Sequence, residues 1–149
     1  MRRGRRLGVD VGDVRVGVAT CDPDGLLATP VETVPAGPTC MGRLVELARE
    51  YDVIEVVVGL PLSLSGRNGP AAAKVRSFAG ELAAVVAPVA VCLVDERMST
   101  MAADVQLRES SRSGKKKRAV IDQVAATVIL QAALDAERIR GEAVGERVP

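Results

Sequence analysis

Apolar and polar positions alternate through the first quarter of the chain, then give way to helical spacing and unbroken apolar runs. The alternation predicts three strands over Arg6–Val11, Val14–Thr20 and Leu26–Val34, with turn signals at Gly12-Asp13 and Asp22-Pro23-Asp24-Gly25. Cys40–Tyr51 sets Leu44, Leu47 and Ala48 along one side of a helix. Val53–Val58 and Val89–Val94 are almost wholly apolar, as expected of strands buried on both faces. Between them, Gly59–Gly69 reads as a loop and Pro70–Ala87 as a helix opened by proline. Ser99 or Thr100 is placed to cap a helix reaching Glu109, and Ser110–Lys117, without an apolar residue, reads as a surface loop. Ala119–Arg140 is the longest helix and Gly141–Pro149 a frayed tail. The order implies an α/β domain over residues 1–140. Its mixed sheet would have five strands, an antiparallel meander followed by two parallel strands, flanked by helices.

Composition narrows the chemistry. At 149 residues the chain is sized for one core, and 48% hydrophobic residues supply it, yet aromatics are only 1%. Val, Ala, Leu and Ile must therefore do the packing, and base-stacking platforms for single strands are disfavoured. With no histidine, Ser–His–Asp and Cys–His catalysis and imidazole metal sites are excluded. Cys21, Cys40 and Cys92 are widely spaced, which argues against zinc and suits buried small hydrophobes in a reducing cytoplasm. No apolar run reaches membrane-spanning length or forms a signal segment, so a cytoplasmic protein is expected. The net charge of +1 hides two basic clusters, Arg2, Arg3, Arg5 and Arg6, and then Arg112, Lys115, Lys116, Lys117 and Arg118. Each suits a polyanionic partner and reads equally well as a solvated run.

Asp10 is the sharpest single signal. Alternation puts Leu7, Val9 and Val11 on one face of the first strand and Gly8, Asp10 and Gly12 on the other. A carboxylate there costs several kcal/mol unless paired or metal-bound, and the neighbouring glycines read as room left for a ligand. In the second strand Arg15, Gly17 and Ala19 share the corresponding face. Asp95 and Glu96 lie just past a buried strand, where open α/β sheets place ligands. Only one of these neighbours can easily face Asp10; Glu96 is favoured, with Asp95 as second choice or support. Arg97 reads equally as a phosphate contact or as the ion-pair partner of a nearby acid.

Asp122 opens the last predicted helix, where a carboxylate suits the helix dipole, but Ala125 and Ala126 would let that helix approach the sheet. Three carboxylates without imidazole or thiolate describe a hard-cation site for Mg²⁺ or Mn²⁺, and a pair of such ions can hydrolyse a phosphodiester. In the loop, Arg67 and Asn68 could hold phosphate or sugar, although no P-loop ending is present.

Four strings occur in order: Asp10-x-Gly12-x-x-Arg15-x-Gly17-x-Ala19, Val58-Gly59-Leu60-Pro61, Asp95-Glu96-Arg97-x-Ser99-Thr100, and Lys117 followed by Ile121-Asp122-Gln123-x-Ala125-Ala126. Together they closely resemble the YqgF family, also called RuvX, of bacterial Holliday-junction-resolvase-like proteins. The resemblance covers residues 5–135. It implies an RNase H-like fold and a cytoplasmic nuclease that matures the 5′ end of precursor 16S rRNA or, in some members, cuts four-way DNA junctions. It further implies that Asp10, Glu96 and Asp122 bind metal as catalytic acids, with Asp95 adjacent. Arg15, Arg97, Lys115, Lys116, Lys117 and Arg118 would contact substrate. A monomer or weak homodimer is expected, a dimer suiting the paired cuts of a junction.

Two other readings stand beside this one. The Asp-x-Gly string also resembles the first phosphate loop of actin-like kinases, which need a second domain. A non-catalytic ribosome-assembly factor could keep the same fold.

Overall fold

The computed structural model describes residues 1–62, 69–98 and 114–149. Strands β1 (Arg6–Val11), β2 (Arg15–Cys21), β3 (Ala28–Pro35), β4 (Glu55–Leu60), β5 (Ala90–Asp95) and β6 (Glu146–Arg147) form one sheet in the order β3-β2-β1-β4-β5-β6. The first three make the antiparallel meander, and β4 and β5 run parallel to β1. Helices α1 (Cys40–Glu50) and α2 (Pro70–Val86) provide the crossovers, and α3 (Gly114–Arg140) follows a 3₁₀ turn at Glu96–Met98.

The two faces of the sheet are packed with different residues. Leu7, Val9, Val16, Val18, Val56, Val58, Val91 and Leu93 form the larger core with Leu44, Leu47, Val75 and Leu82 of α1 and α2. The opposite face carries Ala19, Cys21, Val57, Cys92 and Val94 beneath Ala126, Ile129, Leu130 and Leu134 of α3. Short side chains on that face bring α3 close to the sheet, and this closeness builds the site described below. All three cysteines are buried and free, in keeping with their reading as small hydrophobes.

Several boundaries differ from the sequence expectation. Val14 is 67% exposed in the β1–β2 turn, where the Gly12 N–H donates to the Arg15 carbonyl at 2.9 Å, so β2 starts one residue later than expected. Gly59 and Leu60 belong to β4, not to a loop, because they pair with Val94 and Asp95 of β5. Helix α3 begins at Gly114, which makes helix of the end of the expected Ser110–Lys117 loop. Three lysines and an arginine there are good helix formers, and no proline interrupts them. The expected helix over Ser99–Glu109 lies outside the described residues.

A sixth strand lies in the segment read as a frayed tail. Gly145, at φ +91°, allows the chain to turn back; Glu146 and Arg147 pair with Leu93 and Cys92, and the Val148 N–H donates to Val91 O at 2.8 Å. The side chain of Arg76 on α2 pairs with Glu146.

Of the N-terminal arginines only Arg6 is buried; Arg2 and Arg3 are exposed but paired with acids of the fold, and Arg5 lies at the surface. Arg6, only 1% exposed, donates to Glu137 of α3 at 2.8 Å, while Arg2 donates to the other Glu137 oxygen at 2.6 Å and to both oxygens of Glu55 at 3.2 Å. Arg3 pairs with Asp24. A charge buried as deeply as Arg6 must be paired, and Glu137 supplies its partner. The network ties the start of β1 to α3, roughly 13 Å along the strand from Asp10.

Replacing Glu137 with glutamine should cost about 3–5 kcal/mol near neutral pH, because Arg6 is left charged and buried. Burial alone would push the Glu137 carboxyl up, but the Arg2 and Arg6 hydrogen bonds and charges outweigh it and hold the carboxyl below its ordinary value. The stabilisation is therefore present above the unfolded value of 4.5 and is lost as pH falls through the folded one. Denaturant titrations of the two proteins should show a gap that narrows in acid; a gap of constant size would contradict the argument.

Candidate active site

Parallel strands β1, β4 and β5 end on the same side of the sheet, and the acids gather at those ends. Asp10 is the penultimate residue of β1, half-buried on the α3 face. Asp95 closes β5 and Glu96 opens the 3₁₀ turn. Strand β4 lies between, so about 10 Å of sheet separates β1 from β5. Bridging that gap favours the longer side chain beyond the strand end.

The electrostatics distinguish the two neighbouring acids. Burial, then the charges of Glu96 and of Asp122, push the Asp10 carboxyl up to about 7. Burial also raises Glu96. Asp95 makes no such contribution; its carboxylate is gripped by Arg97, whose Nε donates to the two oxygens at 3.0 and 2.9 Å, and is held below its ordinary value by that pairing. The Arg97 backbone N–H also donates to Asp95 at 2.9 Å. Asp95 thus bonds both the backbone and the side chain of Arg97 in the turn that carries Glu96.

Asp122 arrives by a route that the helix-start reading missed. It lies about two turns inside α3, too far from the N-terminus for the helix dipole to favour it. Its placement comes from glycine packing. Gly17 pairs with Asp10 in the β1–β2 register, and a Cβ built on Gly17 would sit 1.9 Å from the Asp122 carbonyl oxygen. A Cβ on Gly8 would meet Leu130 Cβ at 2.7 Å and the Ala126 carbonyl at 3.0 Å; one on Gly59 would meet Ile129 at 2.6 Å. The space beside Asp10 that the sequence suggested was kept for a ligand is filled, at Gly8, by the helix itself. The glycines seat α3 so that Asp122 comes down beside Asp10.

Arg15, on β2, donates from Nε to Asp122 Oδ2 at 2.7 Å. The next residue of α3, Gln123, donates to Thr33 Oγ1 on β3 at 3.1 Å, extending the contact across the sheet. The signal for these pairings was present in the alternation that put Arg15 and Gly17 on the Asp10 face; the hairpin register turns that shared face into contact. Lys115, Lys116, Lys117 and Arg118 are helical in their backbone, in the first turns of α3 and upstream of Asp122. Arg67 and Asn68 lie outside the described residues.

The donor set is all oxygen. No histidine exists in the chain, and the Cys92 thiol is pushed up to about 12 by burial. No hydrogen bond from a described residue reaches the Asp10 carboxylate. Hard divalent cations fit such donors. Among the described residues, no three acids or cysteines converge into a finished chelate, and one of the acids concerned, Asp122, is held by Arg15.

A meander followed by parallel crossovers, with acids at one sheet end beneath a long helix, defines an RNase H-like protein. Two solved structures share the fold. Thermus thermophilus RuvC in complex with a Holliday junction substrate has a TM-score of 0.59 at 19% identity, covering 95% of this chain and 99% of that one. A second T. thermophilus RuvC structure gives 0.54 at 18% with the same coverage.

The chain belongs to the RuvX family, described as Holliday junction resolvase, whose sequence profile matches residues 4–136. A Streptomyces avermitilis relative is 63% identical over 150 residues, covering 99% of this chain and 96% of its own length. One from Nocardioides sp. (strain JS614) is 61% identical, covering 99% and 98%. Both carry the provisional name pre-16S rRNA nuclease.

Proposed function

We propose that this protein is a cytoplasmic, divalent-metal-dependent endonuclease that hydrolyses phosphodiesters in structured nucleic acid, with precursor 16S rRNA as its main substrate. The observation that carries the reading is Asp10, a half-buried carboxylate without a hydrogen bond from a described residue, raised by burial and by the charges of Glu96 and Asp122. Such an arrangement is costly for folding and suits a cation. Asp10, Glu96 and Asp122 would hold Mg²⁺ or Mn²⁺, and the charges of the other two both act on Asp10. Bound there, such ions would lower the pKa of a water so that it ionises to an attacking hydroxide, and would neutralise charge building on the phosphate.

The protein's own groups do the rest. The acids would set the position of the reaction at the sheet end, where β1, the end of β5 and α3 carry them. Asp95 bonds Arg97 in the turn that carries Glu96. Lys115, Lys116, Lys117 and Arg118, in the stretch leading to Asp122, would draw the phosphate backbone in and make binding salt-dependent. Among the described residues no helix is long and apolar enough to cross a membrane.

Cleavage of four-way DNA junctions is the second reading, supported by the family's description and by the likeness of fold to RuvC bound to a junction. A precursor 16S leader RNA and a four-way DNA junction, incubated with the protein, distinguish the two. Cutting should stop when EDTA removes divalent ions and return with Mg²⁺ or Mn²⁺. RNA cleavage well in excess of junction cleavage supports the first reading, and the reverse supports the second. Binding of both substrates without cutting under any metal would refute both and favour an assembly factor.

A further inference from the structure

We propose that Arg15 is a counter-ion that holds Asp122 until a substrate phosphate arrives, so that one guanidinium couples nucleic-acid binding to cation binding. The inference rests on the metal-nuclease reading above and concerns the order in which that site is filled. Its basis is the way the guanidinium is divided. A guanidinium has five N–H donors in a planar fork. Arg15 spends one of them, Nε–H, on Asp122 Oδ2 at 2.7 Å; its two terminal nitrogens make no hydrogen bond to a described residue. Arg97 is arranged differently, because both its Nε and a terminal nitrogen bond the Asp95 carboxylate.

Both partners are open enough to exchange. The Arg15 and Asp122 side chains keep 32% and 17% exposure, so solvent and ligands reach the pair. The carboxylate oxygen that Arg15 occupies belongs to one of the three acids that a cation needs, and a positive charge beside it opposes a second cation. The terminal N–H groups match two oxygens of a phosphate. A phosphate that engages them pulls the guanidinium toward itself, weakens the Nε bond and frees Asp122 for metal. By linkage, metal on Asp122 releases Arg15 for phosphate and tightens substrate binding by the same factor. Arg15 is therefore a positioning residue acting through Asp122. Its place on β2, two residues before the glycine that pairs with Asp10, keeps it within reach of both events.

The test uses the full chain and Mn²⁺ alone. Electron paramagnetic resonance titration gives the Mn²⁺ affinity of wild type, Arg15→Gln and Arg15→Lys without nucleic acid, with thermal melts to establish that each is folded. Arg15→Gln should bind Mn²⁺ about three- to tenfold tighter, as expected for removing a partly exposed ion pair that competes with the metal. Arg15→Lys, which keeps the charge and loses the fork, should fall between the two. At saturating Mn²⁺, Arg15→Gln should raise KM for the RNA more than it lowers kcat. Mn²⁺ affinity that is unchanged or weaker in Arg15→Gln would overturn the coupling while leaving the nuclease reading intact. Absence of Mn²⁺ binding by every protein, wild type included, would overturn both.

Discussion

Asp10→Asn is expected to lower the rate of cleavage by on the order of a thousandfold or more while leaving the fold intact. Asparagine has nearly the same shape, so packing under α3 is kept. What disappears is the negative charge that the other two acids can least replace. Asp10 sits on the central strand β1, and both Glu96 and Asp122 act on it. The stability of the variant separates chemistry from folding. The Asp10 carboxyl is raised from 3.8 to about 7. In metal-free protein the folded state therefore binds more protons than the unfolded one between those values, and wild-type stability falls as pH rises through that window. Asparagine does not titrate. Melts of the metal-free proteins should show the variant gaining on wild type from acid toward about pH 8. A variant that loses cleavage because it unfolds would show the opposite ranking at the higher pH.

Gly17→Ala is the second large effect, and it acts without changing any carboxylate. The new Cβ would lie 1.9 Å from Asp122 O, 2.4 Å from its carbonyl carbon and 3.1 Å from its Cα. All three are backbone atoms, so no side chain can swing aside; α3 must lift from β2. Overpacking of this kind costs about 1–3 kcal/mol. The displacement should cost more in catalysis, on the order of a hundredfold, because a shift of about 1 Å in a reacting group has that effect. Asp122 and its Arg15 contact would move with the helix. Gly80→Ala provides the control: nothing lies within 4 Å of its Cβ, on the exposed side of α2. That change should stabilise the protein by about 0.5–1 kcal/mol through helix propensity, with cleavage unaltered. Cleavage by Gly17→Ala at the wild-type rate would show that the close approach of α3 does not matter to the site.

Much of the architecture was legible from alternation and turn chemistry. The period-two pattern in β1 set Leu7 and Val9 against Asp10, and the hairpin signal at Gly12-Asp13 joined the first two strands. Continuous apolar runs marked β4 and β5 because both of their faces are covered. The boundaries that shifted lie where pairing outranks local propensity. Gly59 looks like the start of a loop, yet it continues β4 because β5 supplies its partner and Ile129 the space that its missing side chain leaves. Glu146 and Arg147 carry no apolar pattern of their own; the open edge of β5 makes them a strand.

The site divides in the same way. By itself the sequence determined which acids are present, that no imidazole could join them, and that Asp10 faces away from the main core, because composition and side-chain alternation are local properties. Tertiary structure decided what each charge touches. Arg97 turned to its near neighbour Asp95, Arg15 to Asp122 across 107 residues, and Arg2 and Arg6 to Glu137 across 135 and 131. Buried or half-buried charges take the partner that the packed fold brings within hydrogen-bonding distance, and that distance is set by how closely α3 settles onto the sheet at Gly8, Gly17 and Gly59.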